Sequence, residues 1–269
     1  MRIIFDRFPE GKTKALTMSY DDGRDHDLRL IEIFNKYGIK GTFHLNSAPI
    51  EHGSTNHVGI EDVREKYKGH EISLHTHTHP HLERAPREEI VFETMENRRL
   101  LEKWCGYPVT GMSYPYGTCN ADVREVLRAL GVVYSRTAQA TKSFEIPSDF
   151  LLWHPTCHYM DPKLMDYLEQ MMTLPRWRSP LPVFYVWGHS YEFADYNNWE
   201  LIENFCAKVS GKDEVWCATN MEIYEYVNAL RSLVVSADRT IIKNSTATDV
   251  WVSADGASVK IPAGATVTL

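Results

Sequence analysis

Cysteine is scarce and scattered: five among 269 residues, at Cys105, Cys119, Cys157, Cys206 and Cys217, with no C-x-x-C pair. That spacing excludes a disulfide framework and a thiolate zinc site. No apolar run is long enough to span a bilayer, so no transmembrane segment is expected. The opening "MRIIFDRFPEGK" carries Asp6, Arg7, Glu10 and Lys12 and lacks the continuous apolar stretch of a signal peptide. With Met1 in place, the expectation is a cytoplasmic protein. Basic residues are also short: 29 Lys and Arg against 36 Asp and Glu give a net charge of -7. Nucleic acid and anionic membranes both favour a basic patch, so neither is an expected partner. What is present is 43% apolar and 24% charged residues, the balance of a globular chain with a sizeable core.

Up to about residue 232 short apolar runs alternate with helix-like segments. Strands are expected at 15–20, 41–46, 71–76, 109–114, 132–137, 150–154, 183–189 and 215–219. Helices are expected at 25–38, 87–106, 120–131, 162–172, 199–209 and 221–233, with Gly38 and Gly106 as stops and Asn120 as an N-cap. Repeated β-then-α units imply parallel strands with right-handed crossovers. With about seven such units, the expected fold is an α/β, distorted TIM-like (β/α) barrel spanning residues 1–233, with its working residues at the C-terminal ends of the strands. From residue 234 to 269 the helical pattern stops. β-branched runs separated by "NSTATD", "ADGA" and "PAGA" read as a small β appendage packed on the barrel.

Three polar clusters end expected strands: "DDG" at 21–23, "HTHTH" at 75–79 and "GHS" at 188–190. In a barrel these points meet on one rim. Asp21 and Asp22 point in opposite directions on an extended segment, so one carboxylate ligates an ion while the other faces a reacting water. Taken alone, Asp-Asp-Gly is more often a solvated turn. In "SLHTHTHPHL" histidines fall at every second position, His75, His77, His79 and His81. If the chain turns after His75, then His75 and His79 fall on one side, as in a helical turn, and share one ion. His189 follows an apolar strand and Gly188. Two imidazoles and a carboxylate make a catalytic zinc set, which acidifies a bound water toward pKa of about 7 and polarises a carbonyl. A spare carboxylate base and a separate histidine acid complete the kit for hydrolysing an amide or ester.

These motifs, in this order, resemble the polysaccharide deacetylase family, the NodB-homology group of carbohydrate esterases (family 4). "MSYDDG" (18–23) stands where that family has T-F-D-D-G, and "GHEISLHTHTHPHL" (69–82) matches its G-H-E-I-x-x-H-T-x-x-H-P block. "YPYG" (114–117) resembles the end of R-P-P-Y-G, and "YVWGHS" (185–190) the late histidine motif. The resemblance covers roughly residues 12 to 230. It implies metal-dependent deacetylation of N-acetylated sugars, with Asp21 as base and Asp22, His75 and His79 as metal ligands. It further implies His189 as acid and the Tyr116 backbone N–H as oxyanion donor. His77 and His81 fall outside the ligand set.

Two departures point to a divergent subgroup. The family's motif arginine, which orients the base, falls at Ser113. Arg136, at the end of the neighbouring expected strand, is the candidate substitute, its alternative being a surface salt bridge. The family's Asp-Trp motif is not recognisable in "LLWHPTCHYMD" (151–161), which leaves Glu192, His154 or His158 to tune His189. Trp187 and Tyr191 are expected near the pocket, and 174–182 as a rim loop or a stiff connector. The expected cofactor is one divalent ion, zinc by default, with cobalt, nickel or iron fitting the same ligands. The expected substrate is a small acetylated carbohydrate. The alternatives are O-acetyl ester hydrolysis on xylan-type oligosaccharides, or a catalytically impaired barrel that keeps its metal and binds carbohydrate.

Overall fold

The computed structural model describes all 269 residues. The chain opens with a short strand, β1 (Ile3–Ile4), and then enters the barrel with β2 (Lys14–Asp22). Next come α1 (Asp27–Tyr37), β3 (Gly41–Leu45), α2 (Ser47–Glu51), α3 (Ile60–Glu65) and β4 (Glu71–Leu74). The long α4 (Arg87–Cys105) leads to β5 (Gly111–Ser113), α5 (Ala121–Ala129), β6 (Tyr134–Arg136) and β7 (Cys157–His158). The barrel segment ends with α6 (Leu164–Thr173), β8 (Val183–His189), α7 (Glu192–Asp195), α8 (Trp199–Val209), β9 (Val215–Cys217) and α9 (Asn220–Arg231). No helix is long and apolar enough to cross a membrane.

The curled sheet runs β6-β5-β4-β3-β2-β8-β7, all parallel, as the expected barrel requires. β9 pairs with the first residues of β2, leaving the later ones to β3. Between β6 and β7 the wall is completed by irregular chain. Trp153 bridges to Arg136, and Thr156 donates its N–H to the Tyr185 carbonyl. The expected strand at 150–154 is instead a 3-10 turn at Phe150–Leu152. Asp149 caps that turn by accepting the Leu151 N–H, and this local bond pre-empts extended pairing.

Helix boundaries follow local chemistry. The Asn120 carboxamide accepts the Val123 N–H at 2.9 Å to start α5. Thr219 and Glu222 form a reciprocal capping box at the start of α9. Gly38 ends α1 at φ 65°, a conformation that costs glycine nothing. The apolar stripe Leu30, Ile31, Ile33 and Phe34 of α1 packs into the core, where Phe43 meets Tyr67 edge-on at 5.1 Å. Truncating a core phenylalanine of this kind costs about 3–5 kcal/mol.

The C-terminal segment holds five strands: β10 (Val234–Val235), β11 (Ile241–Lys243), β12 (Val250–Ala254), β13 (Ala257–Ile261) and β14 (Thr266–Thr268). They form two three-stranded sheets, β10-β11-β14 and β1-β12-β13. The second includes β1 from the opposite end of the chain. Ile242, Val250, Val252 and Ile261 are buried together with Phe8 and with Tyr226, Val227 and Leu230 of α9. Segment 174–182 immediately precedes β8, and Arg176 pairs with Asp6 at 3.3 Å. It therefore sits at the strand-start end of the barrel, opposite the rim, because chain direction decides which end a connector serves.

Candidate active site

Parallel register brings the three polar clusters together: Asp21 of β2 lies opposite His189 of β8 and His44 of β3. Asp22, His75 and His79 converge. Asp22 Oδ1 is 3.4 Å from His75 Nε2 and 3.7 Å from His79 Nε2, and the three ligand atoms lie within 4.8 Å of one another.

The tautomer of His75 suits a metal ligand. Its Nδ1 lies 3.0 Å from the Ser113 carbonyl and 2.7 Å from Ser113 Oγ, so Nδ1 carries the proton and Nε2 keeps a lone pair facing the site. Asn97 of α4 accepts the His75 N–H, and Asn46 donates to the Thr76 carbonyl at 3.2 Å, fixing the loop that carries the ligands. Sequence reading did not single out either asparagine.

The loop does not make the expected helical turn. Asp22, Thr76 and His79 take left-handed φ values of 81°, 69° and 66°, and Tyr116 takes 59°. Such conformations in non-glycine residues are strained and concentrate at functional sites. His77 turns away to Ser47 Oγ at 2.9 Å and to Phe92. His81 stacks face to face on Tyr116 at 3.7 Å, and Tyr116 meets His79 edge-on at 4.6 Å. Tyr116, 54% exposed, thus forms one wall beside the ligand set.

Asp21 is sealed, 3% exposed, and both of its oxygens accept from Nη2 of Arg136, itself fully buried. The guanidinium also lies 4.6 Å from the centre of the Trp187 ring. Ser113 Oγ donates to Asp21 Oδ1 at 3.1 Å. Burial alone would raise the Asp21 pKa, but Arg136 and then His75 reverse this and hold it well below the usual carboxylate range. Arg136 is therefore no surface ion pair, and it meets the base from one strand beyond Ser113.

His189 points Nε2 at Asp22 Oδ2, 4.0 Å away, and Nδ1 at Glu192 Oε1, 3.3 Å away. Glu192 Oε2 also accepts the His189 backbone N–H at 3.1 Å and lies 3.2 Å from His158 Nε2. Burial would lower the His189 pKa, but Glu192 and then Asp21 and Asp22 raise it overall. Glu192, despite burial, is drawn down to about 2 by His158 and His189. Of the three candidates for tuning His189, geometry selects Glu192 with His158 behind it. His154 instead bonds Thr137 at 2.6 Å. His158, His189 and Glu192 have metal-like spacing of their own. However, His158 Nδ1 accepts the Met160 N–H at 3.2 Å, which places its proton on Nε2, facing Glu192. This cluster is an ionised carboxylate set between two histidines rather than a second ion site.

Residues 9–135 match the family model for polysaccharide deacetylase. Over that stretch the chain is similar to the polysaccharide deacetylase family. Over 121 residues it is 27% identical to the peptidoglycan-N-acetylglucosamine deacetylase PgdA of Listeria monocytogenes, a match covering 44% of this chain and 25% of that protein. The chain thus spans about a quarter of the length of the curated relatives it matches. Among solved folds it resembles a Mycobacterium smegmatis protein assigned as a polysaccharide deacetylase, with a TM-score of 0.61 and 19% identity over 83% of this chain and 93% of that one. It also resembles a family 4 carbohydrate esterase pseudoenzyme from Bacillus anthracis, with a TM-score of 0.51 and 18% identity over 81% and 66%. Folds of this kind include a pseudoenzyme, so the barrel alone does not decide activity. The rim residues have to.

Proposed function

We propose that the chain hydrolyses the acetyl amide of an N-acetylated saccharide. The observation that carries this reading is the juxtaposition of one three-ligand set, Asp22, His75 and His79, with an ionised carboxylate on one side and an acid histidine on the other. Those three residues would hold one divalent ion, zinc by ligand type, which when bound would supply Lewis-acid polarisation of the acetyl carbonyl and acidify water.

The remaining roles fall to the chain itself. Asp21, kept ionised by Arg136, takes the proton of the water that adds to the carbonyl carbon. The Tyr116 backbone N–H faces the developing oxyanion. Nε2 of His189 delivers a proton to the amine nitrogen as the C–N bond breaks, yielding acetate and a free amino sugar. Glu192 keeps the Nδ1 proton in place, so that Nε2 is the nitrogen that donates. Trp187 pins the Arg136 guanidinium and borders the acetyl side.

A second reading, an impaired barrel that binds without turnover, is favoured by Ser113 at the motif arginine's place and by likeness to a pseudoenzyme fold. Arg136 on both Asp21 oxygens speaks against it. The test is acetate release from acetylated chito-oligosaccharides and xylo-oligosaccharides, before and after chelation, with metal content measured in parallel. Chelator-sensitive release from the amide substrate supports the proposal. Release from the xylan-type ester alone moves the assignment to esterase. One bound ion with no release from either substrate establishes the impaired barrel.

A further inference from the structure

Arg24 stands two residues beyond Asp22 and has no part in the chemistry described so far. Its backbone is fixed on both sides by chain from the α2–α3 connection. It bridges antiparallel to His57, the Asp25 N–H donates to the Asn56 carbonyl at 3.3 Å, and the Val58 N–H to the Gly23 carbonyl at 3.1 Å. Its guanidinium carbon lies 5.1 Å from the centre of the Tyr191 ring, and that ring lies 5.2 Å from the His189 ring. A cation is therefore held in place on the acid side of the site.

No carboxylate in the fold accounts for it. Arg24 makes no ion pair, and its Nε is buried without an acceptor. The adjacent Asp25 is engaged with His26 at 2.8 Å. Asp22 faces His75, His79 and His189. A stacked guanidinium with an unused hydrogen-bonding fork matches a carboxylate or phosphate in shape and charge. Leaving such a group unpaired beside the site costs stability, which an arriving anion would recover.

Its side of the site indicates which part of the substrate it meets. In the proposed reaction His189 protonates the nitrogen that stays on the sugar. The sugar ring, and not the acetyl group, thus lies toward His189, Tyr191 and Arg24. We propose that Arg24 reads an oxyanion carried by that sugar, so that the substrate class is an acidic acetylated saccharide bearing a carboxylate or a phosphate. This rests on the deacetylase reading above. Arg24 acts as a specificity residue and takes no part in bond making or breaking.

The experiment compares three probes: N-acetylglucosamine, its 6-phosphate and its 3-O-lactyl ether, the last carrying a carboxylate. kcat/KM is measured for wild type, Arg24→Met and Arg24→Lys. In parallel, calorimetry measures binding of glucosamine and glucosamine 6-phosphate, which needs no turnover. Wild type is expected to prefer at least one anionic probe. Arg24→Met should lower kcat/KM for that probe by about tenfold to a hundredfold, mainly through KM. The neutral probe should change by less than about threefold on the same scale, and Arg24→Lys should recover part of the loss. Which anionic probe is preferred distinguishes carboxylate from phosphate. Equal losses on all three probes, or no anionic preference in wild type, would overturn the proposal and leave Arg24 as support for Tyr191. If no probe releases acetate, the deacetylase reading fails. Calorimetry then decides Arg24 alone: the proposal falls if wild type and Arg24→Met bind the phosphate equally.

Discussion

Asp21 and Glu71 are carboxylates sealed inside the same barrel, and they titrate in opposite directions. Asp21, at the end of β2, has Arg136 on both oxygens and stays ionised. Glu71, at the start of β4, has no cation. It accepts from Tyr134 Oη, from Thr42 Oγ1 at 3.0 Å and from the Met221 N–H at 2.9 Å, and burial pushes its pKa up to about 7. Neutral donors soften the burial penalty, but only a full opposite charge reverses it. Both carboxylates are buried, so the guanidinium, and not the depth, sets Asp21 apart.

The sharpest way to break this contrast is to remove the rim charge. Asp21→Asn keeps shape and removes the base, and acetate release should fall by about a hundredfold to ten-thousandfold with metal content retained. Unchanged release would remove Asp21 from the base role.

Arg136→Ala leaves Asp21 buried and unpaired, like Glu71 but with fewer donors. Turnover should fall by about a hundredfold. The fold should also lose about 3–5 kcal/mol in denaturant titrations. Arg136→Lys should rescue little, because an ammonium on a flexible stem does not reproduce the planar guanidinium packed over Trp187. A full lysine rescue would show that charge alone sets the contrast.

Ser113→Ala tests the joint between ligand and base. Its hydroxyl meets His75 and Asp21, while its carbonyl still holds His75 Nδ1. Metal affinity should drop by about tenfold, the low end for loss of a ligand's supporting contact. A competition titration against a chromogenic chelator reads this directly.

The smallest effect is expected at the other end. A folded pKa raised from 4.5 to about 7 means that Glu71 holds a proton in the native state that the unfolded chain has already released. Its contribution to stability is complete below the unfolded value and is lost as pH rises through the folded one. The slope is about 1.4 kcal/mol per pH unit between them. Asp27, bonded to Tyr67 at 2.7 Å and also raised to about 7 by burial, adds a parallel slope. Glu71→Gln should therefore flatten the fall in urea midpoint between pH 5 and about 7 without moving it at pH 5. An identical pH profile would show that Glu71 is ionised in the fold.

The contrast also marks how far the sequence could be read. Strands β2 and β8 and helices α1 and α4 are legible because apolar period and glycine stops act locally. The meeting of Asp22, His75 and His79 was accessible from four-residue spacing and the resemblance. Their backbone was not, because left-handed φ at Asp22, Thr76 and His79 leaves no glycine to mark it. Arg136 stood as one of two open options, since its partner is 115 residues away and only strand register joins them. Glu192 carried a faint signal, three residues past His189. The 150–154 segment was misread because β-like composition loses to an Asp149 cap that composition does not weigh.

The pairing of β1 with β12 joins Ile3 to Ala254 and Ile4 to Ser253. During synthesis β1 has no edge to join until β12 has followed it. Strands β2 to β6 pair in chain order at far shorter separations, so they can assemble earlier. β1 therefore waits for a partner that is made only after the barrel strands between them.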